Sequence, residues 1–509
     1  MSISRRIYLS TALALSAAGS PVMADLTVDD AWETWQAQIK ALGMTLSAEE
    51  TRDGDALQVG SVTLSAELPM GAGSLVIGFA GPRFEPQGDG TVRMSLPRES
   101  EVTFGGDIDG EGSMVAVIDT VMEDNQAIMS GTPDLVVSDG SVGAVELTLA
   151  SLTIDGEMLE DASGTMVMDG YTYQHTTTIG EMITVEGTNE NPGFEASYTF
   201  EMTDQDSVTK ISAGSFAKNT KASYAYTLPA DGLNLMMLPK HLRDGVNATV
   251  DVFSEAYGDR QQVEMDGEVF SNQKTEAADY QFSGSLDETG VEADGSTGAF
   301  SLGMQVFGLP APISLNGDRV EASLTLPLLS TGEPQDARVM MDFQDFTLNE
   351  EIWAMIDQGG ELPRDPMALR FDLSGSVDVT TDLLDFEAIS ALDPSDTPLV
   401  PVSASLTGLL LSAVGAELTG NGDFVFDAED TTTFPGMPRP EGAIDLQLVG
   451  GNALLDALVA IGLIPEDQAM GTRMMMGMFM VPGDGDDTLK SRIEINSEGH
   501  VLANGQRLR

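Results

Sequence analysis

Cysteine is absent from this 509-residue chain, and histidine nearly so, with three in all. Without thiols there is no disulfide framework, no thiolate zinc site, no iron–sulfur cluster and no cysteine nucleophile. A lipid anchor attached through an N-terminal cysteine is excluded on the same ground. Positive charge is the next shortage: 24 Lys+Arg face 81 Asp+Glu, a formal net charge of −57. A nucleic-acid partner needs Lys and Arg at its phosphates and would be repelled by this surface. The same excess disfavours adhesion to an anionic lipid surface. Long apolar runs are missing too: no stretch reaches the ~18 consecutive apolar residues of a spanning helix. No repeat of fixed period appears, so a regular solenoid or propeller is not expected.

What is present is enough to fold. The chain is 42% hydrophobic and 21% charged, a globular balance. The carboxylates are dispersed along the chain, where they hold water and oppose aggregation instead of forming a docking tail.

The N-terminus reads as an export signal over residues 1–24. Arg5 and Arg6 form a basic segment, Ile7 to Ala18 is mildly apolar, and Pro21 precedes Val22-Met23-Ala24. Small or short side chains at those last positions predict cleavage after Ala24, so that the mature chain starts at Asp25. The apolar run is too short, at ~1.5 Å per residue, to cross ~30 Å of hydrocarbon. Ser4-Arg5-Arg6-Ile7-Tyr8-Leu9 is similar to a twin-arginine signal, although Sec export is favoured. The expected location is the periplasm or the exterior, where a cysteine-free fold must rely on its own core.

Alternation with period two dominates from about residue 57 to about residue 350. Phe194, Ala196, Tyr198, Phe200 and Met202 alternate with Glu195, Ser197, Thr199 and Glu201, which predicts an antiparallel strand with one wet face. Val145-Leu147-Leu149, Tyr171-Tyr173, Ala222-Tyr224-Tyr226 and Val320-Ala322-Leu324-Leu326 repeat the pattern. Asp109-Gly110, Asp139-Gly140, Asp155-Gly156, Asp169-Gly170, Asp266-Gly267 and Asn316-Gly317 read as tight turns between strands. The expected class is therefore mainly β: an extended, curved antiparallel sheet, whether meander, sandwich or open groove, with a few short helices.

Those helices are expected at Val28 to Leu42, capped by Thr27 or Asp29, at Leu233 to Leu242, and near 348–358. A C-terminal helical hairpin is expected near 452–480, joined across Pro465 as a first helical residue. Proline-rich seams suggest an N-terminal β region over 25–305 and a C-terminal one over 306–509.

Chemistry-bearing constellations are sparse. His175, His241 and His500 lie apart, and no G-x-S-x-G elbow exists for a triad. The acidic turns Gly105 to Gly110 and Gly483 to Asp487 lack the spacing of an EF-hand loop, so no metal site and no cofactor are expected. Met470, Met474, Met475, Met476, Met478 and Met480 form the densest cluster. Thioethers can ligate Cu(I), but i,i+4 pairs such as Met470/Met474 and Met476/Met480 more simply build an adaptable apolar helix face. Met470, Met474, Met476 and Met480 are the candidates for lining a ligand groove, with the hairpin at its mouth.

Several segments are similar to a known family. Leu348 to Trp353, Gly359-Gly360 with Leu362-Pro363-Arg364-Asp365-Pro366, the run Ala368 to Gly375, Gly436 to Gly442, Gly450 to Leu455, and Gly499 to Gln506 resemble a family of secreted alphaproteobacterial proteins catalogued as a domain of unknown function. That resemblance implies export and carries no catalytic residues. The strand pattern alone also resembles AsmA-like envelope proteins, whose long sheets form apolar lipid grooves. The expected function is non-enzymatic: a periplasmic sheet holding lipid or another apolar envelope component. A structural or cell-surface interaction protein without a cavity is the alternative, and a carboxylate-dependent hydrolase the third reading.

Overall fold

The computed structural model describes residues 25–108, 112–204, 207–393 and 396–509. The export segment 1–24, with its cleavage site at Ala24, and the Asp109-Gly110 turn lie outside the described residues. Strand makes up 61% of the structure and helix 13%, so the helices can cover only part of the sheet they accompany. All strands join one antiparallel ladder. Stacked at ~4.8 Å per strand, it runs on the order of 100 Å. The ladder continues across residues 305 and 306, where Phe300–Val306 pairs with Glu268–Ala277 on one side and Ile313–Gly317 on the other.

The ladder has two lanes separated by a crease. Met182–Asp204 crosses both lanes, pairing with Tyr171–Ile179 through its first half and with Ser163–Met168 through its second. Ser207–Pro229 does the same with Asn247–Ser254 and Ala256–Met265. The backbone bends at the crease, in places through left-handed residues such as Asn219 within Ser207–Pro229 and Asp124 in a short connection, both at φ 48°. Single backbone hydrogen bonds carry the ladder over the bend, among them Gly143 N to Glu123 O at 2.8 Å and Glu255 N to Lys218 O at 2.9 Å. In most rungs the inward-facing phase slips by one residue there: Leu57 and Val59 point inward before Gly60, Val62 and Leu64 after it. All four belong to one core cluster, so the slip keeps the apolar residues of both lanes on the same side.

The helices form where expected, with small shifts. Helix α1 (Val28–Ala41) carries a capping box in which Thr27 accepts from Asp30 N and Asp30 accepts from Thr27 N, each satisfying an orphan donor. Helix α2 (Leu238–Arg243) starts on Pro239 after a 3-10 turn at Leu235–Met237, so the proline opens the helix and does not interrupt it. Helix α3 (Glu350–Ile356) buries Trp353, and α4 (Phe386–Ser390), which periodicity does not reveal, is a single capped turn and a half. Helices α5 (Gly451–Ala460) and α6 (Glu466–Phe479) make the C-terminal hairpin, with Pro465 as the N-cap.

Two of the expected turn glycines are paired strand residues, Gly140 inside its strand and Gly317 at the end of one. Gly140 and Gly317 pair within the sheet. A Cβ at Gly140 would lie 2.2 Å from the Tyr173 ring, and one at Gly317 would lie 2.4 Å from Phe300. These glycines make room for a cross-strand aromatic ring. Asp169-Gly170 is a bend at the crease, not a hairpin. Asp155-Gly156 and Asp266-Gly267, with positive φ at both residues, are the tight hairpins that the sequence announces.

Ion pairs tie distant loops together. Arg243 of α2 holds Asp382 through two hydrogen bonds, at 2.6 and 2.8 Å, and Asp382 also accepts from Ser330 N. The guanidinium holds the Asp382 carboxyl below its usual range. A carboxylate with a depressed folded-state pKa stabilises the fold above its unfolded pKa of ~3.9, and that stabilisation disappears as pH falls through the folded value. Asp382→Asn is therefore expected to lower stability at pH 7 and to reduce the further loss on acidification, compared by urea unfolding at about pH 7 and about pH 3. Equal losses in variant and wild type would remove this pair from the account.

Candidate functional site

Directly paired residues in an antiparallel ladder share a face, so one row of partners can be followed along the molecule. It runs Pro86, Val92, Met129, Ser138, His175, Gly187, Tyr224, Val250, Gly284, Ala293, Leu324, Val339 and Leu373. The flanking rows are apolar as well, with Met341 opposite Phe371, and Leu369 opposite Leu411. Beyond them come Leu418 with Leu448, and Ile444 with Ile493. The opposite face is charged: Glu321 faces Asp342, Asp342 faces Arg370, and Asp294 faces Ser323.

Protein covers the apolar side at its two ends. At the N-terminal end α1 lies over Leu57, Val59, Phe84, Val92 and Met129, with Trp32 stacked on Trp35 and 6.0 Å from Phe84. A second cluster continues this cover over Ile183, Val185 and Leu228. Tyr173, stacked on His175, marks its margin. Burial pushes the Tyr173 phenol up to about 12 and the His175 imidazole down, as desolvation of the charged form requires. At the C-terminal end, a Cβ on Gly451 of α5 would meet Leu448 at 2.6 Å, and Ser491 donates to the Phe479 carbonyl at 2.6 Å.

Between these ends the apolar side is open. Val339 is 43% exposed and Met341 44%, and Leu324, Leu369, Leu373 and Leu411 are exposed with them. On the other face of the same strands Asp342 is only 4% exposed, while Arg338 and Arg370 beside it are exposed. Arg370 and Arg338 lie along that face, held by Asp342 and Asp372, and their stems cover it. The apolar side is therefore as exposed as the charged one. A folded chain ordinarily hides the apolar side and wets the charged one, and a contiguous exposed apolar surface marks a binding site for a ligand or partner.

The methionine cluster takes a different position from the one its periodicity suggests. Met470 and Met474 share a face of α6 and are exposed, Met474 to 69%. Met476 is half-buried. Met480 is the C-cap, donating to the Met476 carbonyl at 2.7 Å while its own backbone is extended at φ −123°. The cause is the following Val481-Pro482 strand, which pairs with Leu489 and Lys490; a residue near a proline is also biased away from helix. Ala469 alone is buried in α6, which excludes a helix buried on several sides.

Other candidate features are committed to structure. Asp487 caps α5 through Asn452 N and Ala453 N, and Asp484 pairs with Lys490. His241 accepts from Asn234 N, and His500 pairs with Glu498. Among the described residues no group of three or more His, Asp or Glu side chains is placed to hold a metal ion. Two shallow troughs of about 700 and 790 Å³ follow the crease on the charged side and share Phe216 and Lys218; neither is lined by a histidine. Among the described residues no helix is long and apolar enough to cross a membrane.

The residues that build the open surface, Val339, Met341, Leu369, Leu373 and Leu411, belong to no motif that carries chemistry, although Leu369 and Leu373 lie in the Ala368 to Gly375 run of the family resemblance. Their signal was the alternation Leu369-Arg370-Phe371-Asp372-Leu373, legible as a strand but silent about what covers it.

Comparison with protein-family models finds no match, and comparison with curated proteins finds none. Among solved structures the chain is similar to BauA, the ferric preacinetobactin receptor of Acinetobacter baumannii. Identity is 8% over 91% of this chain and 78% of that one, with a TM-score of 0.15. A score of that size does not establish a common fold.

Proposed function

We propose that this chain is a non-enzymatic protein of the periplasm or cell exterior, whose sheet holds the acyl chains of lipid or another apolar envelope component along its open side. The observation that carries this reading is the exposed apolar side of the central strands, where Leu324, Val339, Met341 and Leu373 lie uncovered. Leaving that side bare costs about 25 cal/mol for every Å² of apolar surface kept in water, and a flexible apolar ligand removes the cost. The basic, apolar and small-residue order of residues 1–24 supports delivery across a membrane.

Titration with a neutral naphthylamine dye, whose emission rises in apolar surroundings, tests the reading. Saturable binding that diacylglycerol displaces is the expected result. An absence of saturable binding would give the chain to the structural class. A dimer that takes up dye only after dilution to monomer would assign the open side to a second copy.

A further inference from the structure

The unpaired charge bordering the open side is acidic, and this selects the headgroup of what binds there. The bases of the open stretch, between residues 247 and 449, are nearly all engaged. Lys274, Arg319, Arg338, Arg364, Arg370 and Arg439 each pair with a carboxylate. The remaining base, Arg260, pairs in register with Gly214 and Lys274 on the charged side, and the stretch contains no histidine. At the rim, by contrast, Glu288, Glu333 and Glu429 stand exposed in three of the strand connections. Among the described residues none of the three has an ion-pair partner.

We propose that the open apolar side takes amphiphiles whose headgroup carries an amine or quaternary ammonium, and discriminates against anionic headgroups. This rests on the acyl-chain reading above. A headgroup is wet and sits at the rim, while its chains lie on Leu324, Val339, Met341 and Leu373. A phosphate monoester, sulfate or carboxylate placed there finds no free cation and faces exposed glutamates. An ammonium finds those carboxylates as partners without displacing an existing ion pair, and it gains from a field that counterions weaken only as salt rises.

The test uses two C16 probes with the same fluorescent chain end, one headed by trimethylammonium and one by sulfate. The ammonium probe is expected to bind about tenfold more tightly at ~0.01 M NaCl, with the difference largely lost at ~1 M, where the Debye length is ~3 Å. The triple variant Glu288→Gln, Glu333→Gln, Glu429→Gln should narrow the difference. A triple with the same charge change on the far face, Glu146→Gln, Glu186→Gln, Glu292→Gln, should narrow it less. Equal affinities, or preference for sulfate, would overturn the headgroup inference and leave the acyl-chain reading standing. Equal narrowing by both triples would reduce the preference to diffuse attraction and overturn the rim assignment. If neither probe binds, and the neutral dye does not either, the acyl-chain reading fails and this inference fails with it.

Discussion

Aspartate at Met341 and Leu373 together is expected to remove dye binding while leaving the β-sheet circular dichroism and the urea midpoint near those of the wild type. Both side chains are exposed and on the apolar side, so their carboxylates stay hydrated, and a surface change of this kind costs within ~0.5 kcal/mol. A dye or acyl chain lying over them would have to desolvate two charges. A tenfold loss of affinity corresponds to ~1.4 kcal/mol, and the desolvation of even one unpaired carboxylate exceeds that. The same substitution under α1 separates the two parts of the sheet. Val185 is 2% exposed, and Val185→Asp should unfold the N-terminal half, because a buried charge without a partner costs several kcal/mol. If the Met341 and Leu373 double variant unfolds as Val185→Asp does, the open side is core. If it folds and still binds dye, the site lies elsewhere.

Phe84→Ala is expected to destabilise the N-terminal end by about 3–5 kcal/mol, the range for removing a buried aromatic ring and leaving its cavity. Phe84 has no exposed surface, and its ring lies 6.0 Å from that of Trp32, which in turn donates to Glu50 at 2.7 Å. Two of the chain's three tryptophans, Trp32 and Trp35, therefore report on this cavity. Their fluorescence should shift at a lower urea concentration than in the wild type. Binding at the open stretch should persist below that midpoint, since Val339 and Leu373 lie many strands away along the ladder. A loss under 1 kcal/mol would mean that α1 collapses onto the vacated space and that its cover is loosely packed.

Much of the architecture was legible without coordinates, for local reasons. Alternation in Phe194 to Met202 has a single reading because side chains on a strand point to opposite faces. The stripe Ala31, Trp32, Trp35, Ile39 marks α1 because helical neighbours recur every three or four residues. Gly140 and Gly317 misled because glycine permits two things: a left-handed turn, or close approach of an aromatic ring from the neighbouring strand. The second depends on which residue lies opposite, Tyr173 or Phe300, and that is a matter of register. The methionine cluster runs one residue past its helix, because pairing of Val481-Pro482 with Leu489 and Lys490 ends α6 at Phe479.

By itself the sequence determined a cysteine-free, strongly acidic chain of many antiparallel strands with one apolar and one charged face, because these follow from composition and period-two patterning. Only the tertiary structure decided which apolar residues are covered. Ile183 and Val185 alternate with polar residues no differently from Leu369 and Leu373, yet α1 lies near the first pair, and no helix of the described chain lies over the second. Burial is a property of what packs against a strand, and no residue along the strand records it. The same limit hid the single ladder and its crease, since each depends on partners far apart in sequence, such as Lys218 with Glu255.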